Sequence, residues 1–169
     1  YTGRADQNKN CQEMFDFFIK LKKEKVWEKK KFTLIVIGKE HMDIPIDENI
    51  RYLGFVSEQD KYDAISGAMA LWLPSKNESL SISVLESMAL GVPVVVNGNC
   101  EVLKGHCLKS HAGYYYTNYV EFKNNLSILL EKDRKEMAEN AIAYIDKNYN
   151  WKTITDKLTS FFEYIIGKR

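Results

Sequence analysis

Apolar and polar positions along this chain fall into two periodicities that alternate from one end to the other. Cys11, Met14, Phe15, Phe18 and Leu21 recur at spacings of three and four, which predicts an amphipathic helix from about Lys9 to Lys25. "FTLIVIG" (32–38) is apolar almost throughout and predicts a buried strand ending at a glycine. A polar loop containing "IPIDEN" leads to a second short strand, "IRYLGFV" (50–56). Ser57, with Asp60 three residues on, supplies a cap for the helix that carries Tyr62, Ile65 and Ala68. "ALWL" (70–73) predicts a third strand, closed by Pro74, and residues 81–90 predict a helix stopped by Gly91. "VPVVV" (92–96) and "GYYY" (113–116) predict two more strands. From Tyr119 onward the pattern is helical, with breaks near Lys132 and Tyr149, and it ends in the amphipathic stretch "WKTITDKLTSFFEYII".

Uniformly apolar strands that alternate with helices indicate a parallel sheet covered on both faces, so the fold class is α/β, doubly wound and Rossmann-like. In such sheets ligands sit beyond the carboxyl ends of the strands. The loops after Tyr1-Thr2, Gly38, Phe55 and Leu73 are therefore the places to look for chemistry. The opening "YTGRADQNK" reads as the tail of a strand, as in a fragment cut near a domain boundary.

Composition narrows the functional classes. A chain of 169 residues, 45% hydrophobic, suits one globular domain over residues 1–169 with a core of its own. The 24 basic and 23 acidic residues nearly cancel, which leaves no global attraction to nucleic acid or a membrane surface. The dense run Lys20 to Lys31 alternates with glutamates and reads as a solvated helix end. Three cysteines, Cys11, Cys100 and Cys107, lack zinc-finger spacing and suit a reducing cytosol. No apolar stretch approaches the roughly 20 residues of a membrane span.

Two loops carry candidate chemistry. Gly3 and Arg4 follow the opening strand, and Lys9 falls at the start of the first long helix, where the dipole already supplies positive charge. Arg4, Lys9 and the helix-start N–H groups form a cradle suited to a diphosphate; the alternative is two ordinary surface cations, with Asp6 and Glu13 softening the dipole penalty. In "PSKNESLSISVLESMALGVPVVV" (74–96), Glu78 lies at the loop tip and Glu86 more than one turn inside the following helix. Glu86 is the only charged side chain between Glu78 and Glu101. A carboxylate so placed needs partners, because its desolvation is costly. Two vicinal hydroxyls, as in a ribose, satisfy both of its oxygens; the alternative is a side chain at the helix edge, in water or capping nearby backbone.

These residues resemble a family. "GRxxxxK" in the first loop, "PSxxESxSxxxLESMAxGxPVVV" in the fourth, Glu101, Gly113 and "NYNW" before the last helix together resemble the C-terminal, donor-binding domain of the family-4 retaining glycosyltransferases, two-domain enzymes of the GT-B type. The resemblance covers nearly the whole chain in order. It implies transfer of a sugar from a nucleoside diphosphate to an acceptor hydroxyl with retention, this domain holding the donor.

By the same resemblance, Arg4 and Lys9 hold the diphosphate and steady charge on the leaving nucleotide, and Glu78 contacts hydroxyls of the transferred sugar. Glu86 bonds the nucleotide ribose, Ser79, Leu80, Ser81 and Ile82 present backbone N–H groups to sugar and phosphate, and Gly54, Phe55 and Val56 line the nucleobase pocket. Two departures stand out: Ser79 and Ser81 occupy places where the family often has glycine, and Asn10 replaces the usual glycine after the lysine. No cofactor and no metal is implied, and His41, His106 and His111 show no metal spacing. A UDP-sugar ranks above a GDP-sugar as donor, as the commoner type in the family. The acceptor, a glycan or glycolipid, is expected to bind an absent N-terminal domain, so the isolated domain is expected to be inactive. The expected setting is the cytoplasm, at the inner face of a membrane through that missing domain. Two other classes stay open: a GT-B type nucleotide-sugar epimerase and a non-catalytic nucleotide-sugar-binding module.

Overall fold

The computed structural model describes residues 1–131 and 133–167. The elements follow in the order α1 (Cys11–Leu21), α2 (Lys25–Lys29), β1 (Leu34–Ile37), β2 (Ile50–Gly54), α3 (Glu58–Ser66), β3 (Leu71–Leu73), α4 (Ile82–Ala89), β4 (Val94–Asn97), α5 (Glu101–Ser110), β5 (Gly113–Tyr116), α6 (Tyr119–Glu131), α7 (Lys135–Asn148) and α8 (Trp151–Ile166). Every paired strand is parallel, as continuous apolar runs require. The ladder is interrupted, however. β1 pairs with β2, and β3, β4 and β5 form a separate group in that order. The opening residues join the first group through parallel bridges from Thr2 to Ile37 and from Ala5 to Glu40. A cavity of about 440 Å³ is lined by residues of both groups, among them Tyr1, Ile35, Leu71, Trp72 and Val95.

One buried apolar cluster nevertheless spans both groups. Alternate strand residues point to opposite faces. Trp72 of β3 stacks on Phe122 of α6 at 4.1 Å between ring centroids, and its Nε1 donates to Tyr116 Oη of β5 at 3.0 Å. Phe17 of α1 meets Tyr116 and Phe122 on the same side. α4 and α5 contact the β3–β5 group and α7 in turn contacts both helices.

The first helix is shorter than the pattern predicts. Its apolar stripe ends at Leu21; the chain turns through Lys23 and Glu24 and re-enters a helix at Lys25. The run Lys20 to Lys31 is therefore no simple solvated end, since Trp27 is buried edge-on between Phe18 and Phe32. β2 ends at Gly54, which places Phe55 and Val56 in the loop. Helix α5 was not legible, because its apolar residues follow no strong stripe. The break near Lys132 falls on a residue outside the described ones, while that near Tyr149 is observed, with Asn150 capping α8 through Thr153 N. No residue of α8 is buried.

Tyr116→Phe keeps the ring but strands the indole N–H of Trp72 in the core. It is expected to destabilise the fold by about 1–3 kcal/mol, read as a lower urea midpoint at unchanged slope.

Candidate functional site

The site is assembled where the opening segment and the loop after β3 leave the sheet at the same edge. Gly3 N donates to Ile37 O at 2.9 Å, and the chain then passes close against Gly38. A Cβ on Gly38, whose φ is +131°, would stand 2.0 Å from the Gly3 carbonyl oxygen, so the approach is possible only for glycine. Arg4 follows, half exposed, with Nε donating to Asp6. The other oxygen of Asp6 accepts from the Lys9 amide at 2.8 Å. Asp6 is thus a cap for the turn entering α1 and an anion already seated beside Arg4. Burial pushes its carboxyl up, but the Lys9 amide and the Arg4 guanidinium outweigh this and hold it below its ordinary 3.8.

Lys9 and Glu78 meet. Nζ lies 2.7 Å from Oε1, with the lysine 29% and the glutamate 12% exposed, so the pair is largely withdrawn from water. Asn10 stands in the left-handed region (φ 58°), where asparagine substitutes well for glycine, and its Nδ2 donates to Pro74 O at 3.1 Å. The second departure behaves alike: Ser81 also has a positive φ, 66°, and no side chain caps the start of α4 that it opens. The N–H groups there are available to a ligand. Ser79, Leu80 and Ile82 are exposed around this helix start.

Glu86 is neither free in water nor waiting alone. Its Oε1 accepts from Lys61 Nζ at 2.7 Å and from Tyr62 Oη at 3.4 Å, both on α3. Burial alone pushes Lys61 down, but the Glu86 carboxylate more than offsets it and raises the amine above its ordinary value. Phe55 is 81% exposed at the head of the same helix. Arg4, Lys9 and Glu78 thus form one cluster; Glu86 and the loop of Phe55 and Val56 border α3 in a second.

Sequence reasoning missed four participants. Asp6 entered only as a charge near a helix start, although its three-residue spacing to the Lys9 amide is a readable capping signal, whereas Lys61 lies on a different helix from its partner and no spacing reveals it. Glu13 of α1 accepts from Asn97 Nδ2 at 3.0 Å and pairs with Lys76 at 3.5 Å, which ties the loop after β3 to the end of β4. His106 was weighed only as a metal ligand; it is 4% exposed and bonds the Leu80 carbonyl. Among the described residues no group of three or more His, Cys, Asp or Glu side chains is placed to hold a metal, and no helix is long and apolar enough to cross a membrane.

The parallel sheet with its flanking helices has the fold of the Rossmann-like domains of GT-B glycosyltransferases. The chain matches the C-terminal domain of a group 1 glycosyl transferase from Francisella tularensis with a TM-score of 0.68 at 18% identity, over 89% of this chain and 84% of that one. It matches a sucrose-phosphate synthase from Thermosynechococcus elongatus with a TM-score of 0.76 at 14% identity, over 99% of this chain and 45% of that one. Anabaena HepE in complex with UDP gives 0.76 at 15% identity, over 96% and 48%. The chain spans less than half the length of most of these structures: 45% of the sucrose-phosphate synthase, 48% of HepE and 41% of WaaG, a glycosyltransferase involved in lipopolysaccharide biosynthesis. No curated protein sequence matches it. The family model "Glycosyl transferases group 1" matches residues 1–148, and the chain belongs to that family.

Because Asp6 ionises more readily folded than unfolded, its stabilisation is complete above 3.8 and is lost as pH falls from there through the lower folded value. Urea denaturation between about pH 6 and pH 2 is expected to show this decline, and Asp6→Asn to flatten its lowest part.

Proposed function

We propose that this domain holds the nucleoside-diphosphate end of a sugar nucleotide for a retaining hexosyltransferase. The observation that carries the reading is the Lys9–Glu78 pair, set between the half-exposed guanidinium of Arg4 and the uncapped start of α4. Cation, carboxylate and free N–H groups converge at the ligand-binding edge of the sheet, and a sugar diphosphate offers a partner to each.

In this reading the diphosphate takes Arg4, Lys9 and the N–H groups of Ser81 and Ile82. As the bond between sugar and phosphate breaks, negative charge grows on the departing oxygen, and these fixed donors stabilise it more than they stabilise the bound donor. Glu78, released from Lys9 or sharing it, accepts from sugar hydroxyls. It acts as a hydroxyl binder, with retention through a front-face route assisted by the leaving phosphate. Glu86 turns its second oxygen to the ribose while Lys61 keeps the first, so that each carboxylate oxygen has a partner. Gly54 to Val56 border the base, and UDP is the proposed nucleotide; two solved structures of like fold are complexes with UDP. The acceptor, a glycan or glycolipid, is assigned to a second domain, which accounts for the expected inactivity of this one. The proposed setting is cytoplasmic, at a membrane face through that second domain.

Calorimetry with UDP, GDP and inorganic diphosphate tests this. UDP is expected to bind in the range of about 0.1–1 mM. Arg4→Ala is expected to weaken UDP and diphosphate alike by about tenfold or more, as loss of a charge-assisted bond does. Glu86→Ala is expected to weaken UDP and leave diphosphate unchanged. Absence of any nucleotide-induced amide shift near Arg4, Phe55 and Glu86 at millimolar concentration would overturn the reading.

A further inference from the structure

His106 sits inside α5, 4% exposed, with a partner on each ring nitrogen. Nε2 lies 2.9 Å from Leu80 O and Nδ1 3.0 Å from Tyr144 Oη of α7. A carbonyl oxygen only accepts, so Nε2 carries the proton; Nδ1 then accepts from the Tyr144 hydroxyl. That hydroxyl lies 3.4 Å from Tyr149 Oη, which extends the chain of bonds to the end of α7. Burial holds the imidazole below its ordinary pKa, in keeping with a neutral ring in this one tautomer. The contact lands one residue before Ser81. Ser81 is a non-glycine residue at φ 66° and ψ 85°, a conformation that an L side chain disfavours. No side chain caps α4, and the Ser81 hydroxyl lies 3.4 Å from Ser83 Oγ.

We infer that His106 is a positioning residue: by fixing the Leu80 carbonyl it holds Ser81 left-handed, so that the N–H groups opening α4 stay directed at the ligand. Where glycine adopts that backbone at no steric cost, this chain uses serine and an anchor from α5. The imidazole is 4% exposed, and its effect passes through the Leu80 peptide. The effect on nucleotide binding rests on the donor-site reading above, whereas the effect on the loop itself does not.

Two isosteres separate the anchor from general packing. His106→Gln places an amide N–H near the former Nε2 and retains the bond to Leu80 O. His106→Asn reaches only as far as Nδ1 and loses it. Amide hydrogen exchange of residues 85–88, whose N–H groups close the first turn of α4 beginning with Leu85 N to Ser81 O at 3.3 Å, followed by NMR on the 169-residue chain without ligand, is expected to rise about tenfold in H106N and less than about threefold in H106Q, as removal of one buried hydrogen bond implies. Tyr144→Phe, which removes the donor to Nδ1 but keeps the ring, is expected to raise exchange at the same amides. With UDP as probe, H106N is expected to weaken binding about five- to tenfold. Ser81→Gly added to H106N is expected to restore it to within about threefold, because glycine needs no anchor at that φ. Unchanged exchange in both H106N and Tyr144→Phe overturns the inference, as does a loss shared equally by H106N and H106Q, or one that Ser81→Gly fails to reverse. If the unaltered chain binds no UDP, the donor-site reading fails alone, and the exchange measurements still decide the role of His106.

Discussion

The ion pair between Lys9 and Glu78 joins the two parts of the molecule on which the site depends. It links the start of α1 to the loop after β3, sixty-nine residues apart, and Asn10 adds a second tie to the Pro74 carbonyl beside it. The two strand groups exchange no ladder hydrogen bonds, so their edges are brought together by shared core and by these polar contacts. A largely buried pair of this kind is sensitive to the loss of either member, because the survivor is left as an uncompensated charge. The same feature suits it to function: a ligand that brings a phosphate to the lysine and hydroxyls to the glutamate replaces each lost partner as it binds.

Both glutamates follow one electrostatic rule. Glu78 is held by Lys9 and Glu86 by Lys61, each at 2.7 Å. Neither acid is stranded in its apolar stretch, and neither has both oxygens taken by its lysine. Asp6 shows the opposite use of a carboxylate. Its two oxygens are engaged by the Lys9 amide and by Arg4, so it is a structural anion that orients the cations rather than a group left for ligand. Three acids near one sheet edge thus divide into one that arranges the site and two that keep a free oxygen.

Much of this was legible in sequence. The strands announced themselves because β3 and β4 are buried throughout and apolar at every position but Asn97, and the cap at Ser57 was readable because capping is local, Asp60 N donating to Ser57 Oγ at 3.1 Å. The loops holding Arg4, Lys9 and Glu78 followed from the rule that parallel strands place their ends together. What stayed hidden was of another kind. α5 carries little apolar periodicity because one of its buried residues is His106, kept inside by polar partners that no hydropathy pattern registers. The partner of Glu86 lies on α3, twenty-five residues away, and only packing reveals it. The end of α1 at Leu21 is likewise a tertiary fact, set by the turn through Lys23 and Glu24 that brings Trp27 back against Phe18 and not by where helix-forming residues stop.

The two positive-φ positions Asn10 and Ser81, where the sequence resemblance leads one to expect glycine, show how a site keeps its shape without it. Glycine gives a loop a left-handed residue at no steric cost but leaves the loop free to abandon it. Asn10 and Ser81 adopt the same backbone region at a cost, and in each case a contact from a distant element falls on that position or on the residue before it: Asn10 through its own amide to Pro74 O, Ser81 through the bond from His106 to Leu80 O. Conformational freedom is exchanged for tertiary anchoring. The loops that present Lys9 and the start of α4 are thereby coupled to α5, α7 and the end of β3, so the geometry of the ligand edge is a property of the packed domain rather than of the loop sequences alone.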